Sequence, residues 1–143
     1  YDMIPLLFIS LTIIAGTFVS GMDAGLVYNN FPYMGDSIIP IEYGTLGLID
    51  PFENPVSAQF HHRLLASITL IIIILYSVNY IMKNPINLRV LILLFAIICQ
   101  FIIGIFTLLY SVPITLGAMH QFVGVLLFLS ALWVLHSPKK NTF

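Results

Sequence analysis

The run "LRVLILLFAIICQFIIGIFTLLY", residues 88–110, carries one charged side chain at its second position and none after it. A helix crosses the hydrocarbon core of a bilayer with about 20 apolar residues, at about 1.5 Å per residue. Water is absent there, so such a segment must satisfy its own backbone, which a helix does. Three further windows share this character: 3–22, 58–82 and 115–136. Only 8% of the chain is charged and its mean hydropathy is +1.03, whereas a soluble domain carries roughly a quarter charged residues. The expected fold is therefore an all-α membrane protein, a single domain over 1–143 with four transmembrane helices in a bundle. A net charge of −1 offers no basic field for nucleic acid. Cys99, the single cysteine, lies inside an apolar run, which excludes a disulfide framework. The chain opens on Tyr1 with no signal-peptide pattern, and is read as a processed product or a piece of something longer.

Two of the three connections are short: "KNPINLR" (83–89) and "SVP" (111–113). The third, 23–57, is long and rich in Gly, Pro, Asn and aromatics. A loop of that length inside a compact domain points to a lid or binding loop packed on the membrane surface. Interfacial anchoring by its aromatics is the alternative. Lys83, Arg89, Lys139 and Lys140 fall on one side of the spans; Asp23, Asp36, Glu42, Asp50 and Glu53 fall in the long loop on the other. The positive-inside rule puts both termini and the 83–89 turn on the cytoplasmic or matrix side, and loop 23–57 on the extracytoplasmic side. Arg63 breaks this pattern and calls for a local partner.

His62 and His120 stand near the outer starts of the second and fourth spans. An even number of crossings separates them, so both lie at similar depth on the same side. Ionisable groups within a membrane are expensive and mark function. Two imidazoles at one depth suit a metal held between them, and haem is favoured because histidine is its common axial ligand and bundles hold cofactors between facing helices. Gln59, three residues before His62, shares its helix face and is expected to orient an imidazole or line the pocket. Arg63 is expected to pair with a haem propionate. Gly117 and Gly124 offer space for a planar macrocycle, or equally for close helix packing. The competing reading makes the histidines hydrogen-bonded interfacial anchors. His61 and His62 stand about 100° apart on the helix, so only one of them faces the bundle; His136 is about 24 Å along the helix from His120 and cannot share the site. Gln100 and Thr107 are read as helix–helix hydrogen bonds. A short echo links "AGTFVSG" (15–21) with "IGIFTLL" (103–109): each has Gly-x-Phe near the outer end and precedes a helix that opens with a histidine. Two hairpins with one ligand apiece would build such a site economically.

The segments "GTFVSGMDAGLVYNNFPYMG" (16–35), "FENPVSAQFHHRLLA" (52–66) and "YSVPITLGAMHQ" (110–121) closely resemble the C-terminal half of haem A synthase in its mitochondrial and alphaproteobacterial form. The match runs through nearly the whole chain in order. The resemblance implies half of an eight-helix, pseudo-symmetric fold, in an enzyme that oxidises a ring methyl of haem O to a formyl group, giving haem A for cytochrome oxidase. It implies that this half holds haem b, with His62 and His120 as axial ligands and His61 outside the ligand set. Its partners would be the lipid bilayer, haem, and a substrate-holding N-terminal half or second chain, with a homo-oligomer also open. Its place would be the mitochondrial inner membrane or the bacterial plasma membrane. The substrate half carries a Glu three residues before its His-Arg pair; here that position is Gln59, so no catalytic residue is expected in this half. Two other functions remain open: a membrane b-type cytochrome that only transfers electrons, and a non-haem structural or assembly subunit.

Overall fold

The computed structural model describes residues 3–136. Tyr1, Lys139 and Lys140 lie outside them. The chain forms α1 (Met3–Gly21), a short α2 (Asp50–Glu53), α3 (Pro55–Lys83), α4 (Leu88–Leu109) and α5 (Ile114–Leu135). Four of these, all but α2, are long and apolar enough to cross a membrane. No strand occurs among the described residues.

Local chemistry sets the helix ends. Asn54 caps α3 by accepting the Val56 N–H at 3.0 Å, and Pro55 follows at the first helical position, where its missing N–H is harmless. The helix therefore starts before residue 58, where hydropathy alone places the edge. At 29 residues it is roughly 44 Å long, more than the roughly 30 Å of a hydrocarbon core. Asn87 caps α4 in the same way through the Arg89 N–H at 3.0 Å. Between α4 and α5 the chain turns through Ser111 (φ 59°) and Val112 (φ 52°). Left-handed geometry is unfavourable for a β-branched residue, and Val112 is held there by its N–H donating to the Thr107 carbonyl at 2.8 Å.

The four long helices close a ring. α1 packs on α3, α3 on α4, α4 on α5 and α5 on α1, so α3 and α5 occupy one diagonal. The core joins Ile9, Ile73, Val90, Leu93, Ile97, Leu127, Ala131 and Val134. These residues fill the half of the bundle away from the long loop. Above them, Thr12 and Thr69 bridge α1 and α3 through their hydroxyls at 2.7 Å.

The 23–57 connection folds down on the helix ends. Phe52 meets Phe18 edge-on at 5.2 Å, Phe31 meets Phe101 at 6.2 Å, and Tyr43 meets Phe60 at 4.9 Å. Asn29 donates to the Leu108 carbonyl at 3.0 Å, tying the loop to the end of α4. Tyr28 donates its hydroxyl to the Glu42 carboxylate at 3.0 Å, and this bond pushes the phenol above its ordinary value. Beside it Gly35 has φ +70°, and a Cβ there would stand 3.2 Å from the Tyr28 ring, so both backbone and space require glycine.

Asp50 anchors the second part of the loop. Its buried carboxylate accepts the Gly44 and Leu46 N–H groups at 2.8 and 2.9 Å, the Asn54 amide at 3.1 Å and the Ser57 hydroxyl. Burial pushes its pKa up, but the hydrogen bonds from Ser57, Leu46, Asn54 and Gly44 outweigh that and hold it below the ordinary value of 3.8. The folded-state pKa is depressed, so its stabilisation is complete above 3.8 and fades as pH falls from there toward the depressed value. Limited proteolysis of loop 36–54 should accelerate on acidification below that point, and Asp50→Asn should open the loop at neutral pH. Asn54→Ala removes the cap of α3 and should lower stability by about 1–2 kcal/mol in denaturant unfolding.

Candidate functional site

A cavity of about 820 Å³ opens between the loop and the apolar core, with walls from all four long helices. Its size falls within the range of roughly 300–1,000 Å³ usual for small-molecule and cofactor sites. Gly16 of α1, His62 of α3, Gln100 and Gly104 of α4, and His120 of α5 lie on its wall.

The two imidazoles face each other across it. Their ring centroids are 6.4 Å apart and their planes 87° apart. His62 Nδ1 is 3.1 Å from the Thr12 carbonyl. A carbonyl only accepts, so the proton sits on Nδ1, and Nε2 of the neutral ring keeps its lone pair. Gln100 Nε2 lies 3.3 Å from His120 Nε2. Donation from the amide nitrogen there goes with the His120 proton on Nδ1, and the flipped amide goes with it on Nε2. His62 thus offers Nε2 as a ligand, while His120 Nε2 faces the Gln100 amide. Metal–imidazole bonds of about 2.0–2.1 Å, with ring nitrogens about 1.1 Å from the centroid for bonds near 1.33 Å, put two rings sharing one metal about 6.3 Å apart. The observed spacing fits that arrangement.

Two nitrogens do not complete a metal site, and among the described residues no group of three or more His, Cys, Asp or Glu could hold an ion. A metal here would draw its remaining ligands from an organic partner. Gln59 Oε1, Arg63 Nε, Gln100 Oε1 and His120 Nδ1 are buried without a hydrogen-bond partner, and all four residues line the cavity. Buried polar atoms are normally paired, so this set suits an occupant with polar edges.

His62, His120, Arg63 and Gln59, singled out in the sequence, meet around this one cavity. Arg63 has found its local partner in the loop: it donates to the carbonyls of Asn30 at 2.9 Å, Tyr33 at 3.2 Å and Tyr28 at 2.7 Å. Gln59, 2% exposed, donates its amide to the same Tyr28 carbonyl at 2.9 Å and makes no bond to an imidazole. His61 turns away to the Ser57 carbonyl at 2.7 Å and the Tyr43 hydroxyl at 3.3 Å. His136 caps the far end of α5. Thr107 bonds within α4 and also to the Leu116 carbonyl of α5 at 3.3 Å.

Three residues gain a place that sequence reasoning did not give them. Gln100 touches His120 as well as bridging helices. Gly16 and Gly104 lie closest to the two histidines: a Cβ on either would stand 3.0 Å from His62 Cε1 or 2.9 Å from His120 Cε1. The Gly-x-Phe echo was the signal for them. A Cβ on Gly124 would stand 3.2 Å from Gln100 Nε2 and one on Gly117 3.9 Å from Val112 Cγ1, so neither would meet an imidazole among its nearest neighbours.

Arg63 makes three of the bonds that hold residues 28–33 over the cavity. Arg63→Ala should speed proteolytic cleavage in that segment several-fold with the helices intact. Arg63→Lys should recover only part of the protection, because one ammonium cannot reproduce the guanidinium fork.

Residues 2–132 match the family described as cytochrome oxidase assembly protein, COX15-CtaA. The chain is 38% identical to haem A synthase of Rickettsia prowazekii over 93% of its own length and 41% of that protein's. It is 42% identical to haem A synthase of the Wolbachia of Brugia malayi, over 99% of the chain and 42% of the relative. It is 40% identical to mouse haem A synthase COX15, over 91% of the chain and 33% of the relative. The chain thus spans less than half the length of these curated relatives. No solved structure matches it. With four apolar helices around a histidine-lined cavity and a family match over almost its entire length, the chain belongs to the COX15-CtaA family of cytochrome oxidase assembly proteins.

Proposed function

We propose that this chain is the haem-holding half of haem A synthase, the oxidoreductase that converts haem O to haem A for cytochrome oxidase. The observation that carries the reading is the 6.4 Å separation of the His62 and His120 rings across the cavity. A haem bound in the cavity would be held by His62 and His120, with its porphyrin supplying the ligands that the protein lacks. Haem b bound there would supply an iron centre that changes oxidation state by one electron.

The chain's own residues prepare that position. The Thr12 carbonyl fixes the tautomer and attitude of His62, and such outer partners raise ligand basicity. Gln100, 3.3 Å from His120 Nε2, would have to move aside if that nitrogen held a haem. Arg63 keeps its Nε–H and one N–H of its fork for a carboxylate at the outer edge, which is the role expected of a propionate partner. Gln59 has no ionisable proton and cannot act as a general base. The family resemblance assigns the oxidation to a substrate half with Glu-x-x-His-Arg. In the membrane the long loop faces the extracytoplasmic side, and the 83–89 turn the matrix or cytoplasm.

The full chain, purified with haem, should give a low-spin bis-imidazole absorption and EPR spectrum. His62→Ala and His120→Ala should each lose it. Retention of the same low-spin spectrum by both single variants would overturn the reading, as would a folded, colourless chain that added haem does not convert. A b-type electron carrier is the second reading, with which the amide at Gln59 is equally consistent. It predicts the same spectrum but no association with a four-span partner bearing Glu-x-x-His-Arg.

A further inference from the structure

The cavity wall contains one arrangement twice. A Cβ on Gly16 would meet His62 Cε1, Nδ1 and Nε2 at 3.0, 3.4 and 3.7 Å; a Cβ on Gly104 would meet the same atoms of His120 at 2.9, 3.4 and 3.7 Å. The order and distances agree, so each ring presents the same edge to its glycine. Both glycines sit inside helices without a positive φ, so their conformational freedom is not in use. Glycine weakens a helix relative to alanine, and its presence at both positions needs another cause. Close helix packing is the ordinary one, but here the three nearest atoms to each built Cβ are all imidazole atoms, with no backbone among them.

We infer that Gly16 and Gly104 are positioning residues for the axial imidazoles, each providing the flat seat that turns a histidine Nε2 toward the cavity centre. This rests on the haem reading above. The seat works with the residue one turn earlier on the same helix. Thr12 precedes Gly16 by four residues and its carbonyl takes the His62 Nδ1–H; Gln100 precedes Gly104 by the same interval and its side chain contacts His120. Non-bonded carbon atoms prefer about 3.5–4.0 Å, so a methyl at either glycine drives the ring off its seat. The displaced nitrogen then leaves the line through its partner.

The test is Gly16→Ala and Gly104→Ala in the full haem-loaded chain, read by absorption and EPR spectra with and without added imidazole. Helical content by circular dichroism controls for folding. The expected result is loss of most of the low-spin signal to a high-spin species at unchanged helical content, restored when free imidazole takes the vacated axial position. Unaltered low-spin spectra in both variants, beside a low-spin parent, would overturn the inference and leave the haem reading standing. Loss of haem or helix that imidazole does not restore would also overturn it, since general packing would then explain the glycines. A parent chain without a low-spin spectrum would fail the haem reading itself, and this inference with it.

Discussion

Polar groups inside an apolar bundle must find partners within the protein or in something it binds, and the layout of this chain follows from that constraint. The lower bundle meets it largely by omission, with Ile, Leu and Val in the interior and hydroxyls such as Ser10 and Ser130 turned to backbone carbonyls, the buried Ser77 hydroxyl being an exception without a partner. The upper bundle does the opposite. It gathers two imidazoles, two carboxamides and a guanidinium around one cavity and leaves four of their atoms unpaired. A buried polar group without a partner costs about 1–3 kcal/mol, so this cluster favours an occupant or ordered water that completes it.

The ring order of the helices explains how the two imidazoles come to face each other. Short turns make neighbouring helices antiparallel, so the diagonal pair, α3 and α5, run in the same direction. Histidines about two turns into each are therefore level. The loop then closes the outer end. Gln59 and Arg63 both donate to the Tyr28 carbonyl, so the helix that supplies one imidazole also holds the cover over the cavity. The positive charge that looked misplaced in the sequence has a structural task as well as any role toward a ligand, and the first of these could not be foreseen from charge pairing alone. Its partners are backbone carbonyls, which every residue possesses and no motif announces.

Much of the architecture was legible because hydropathy is a one-dimensional signal. Four apolar runs and their short connections translate directly into four long helices. The start of α3 was less legible: the Asn54-Pro55 cap begins the helix in a polar stretch where hydropathy is silent. At the site, His62, His120, Arg63 and Gln59 could be singled out because polar residues beside apolar runs stand out. Gly16, Gly104 and Gln100 could not be assigned in the same way. Their part arises from contacts between helices that are 46 and 16 residues apart in the chain for the two Gly–His pairs, and a glycine in a membrane helix has several ordinary reasons to exist.

The repeated seat also shows where the two hairpins diverge. On the α1–α3 side the partner one turn before the glycine is a backbone carbonyl, fixed by the helix itself. On the α4–α5 side it is the Gln100 side chain, which has rotamers to choose from and an unpaired oxygen to satisfy. His62 is therefore held by a partner that cannot rotate away. His120 is held by a side chain that can move aside. Matching glycine contacts with unequal anchors make the two imidazoles alike in geometry and different in freedom.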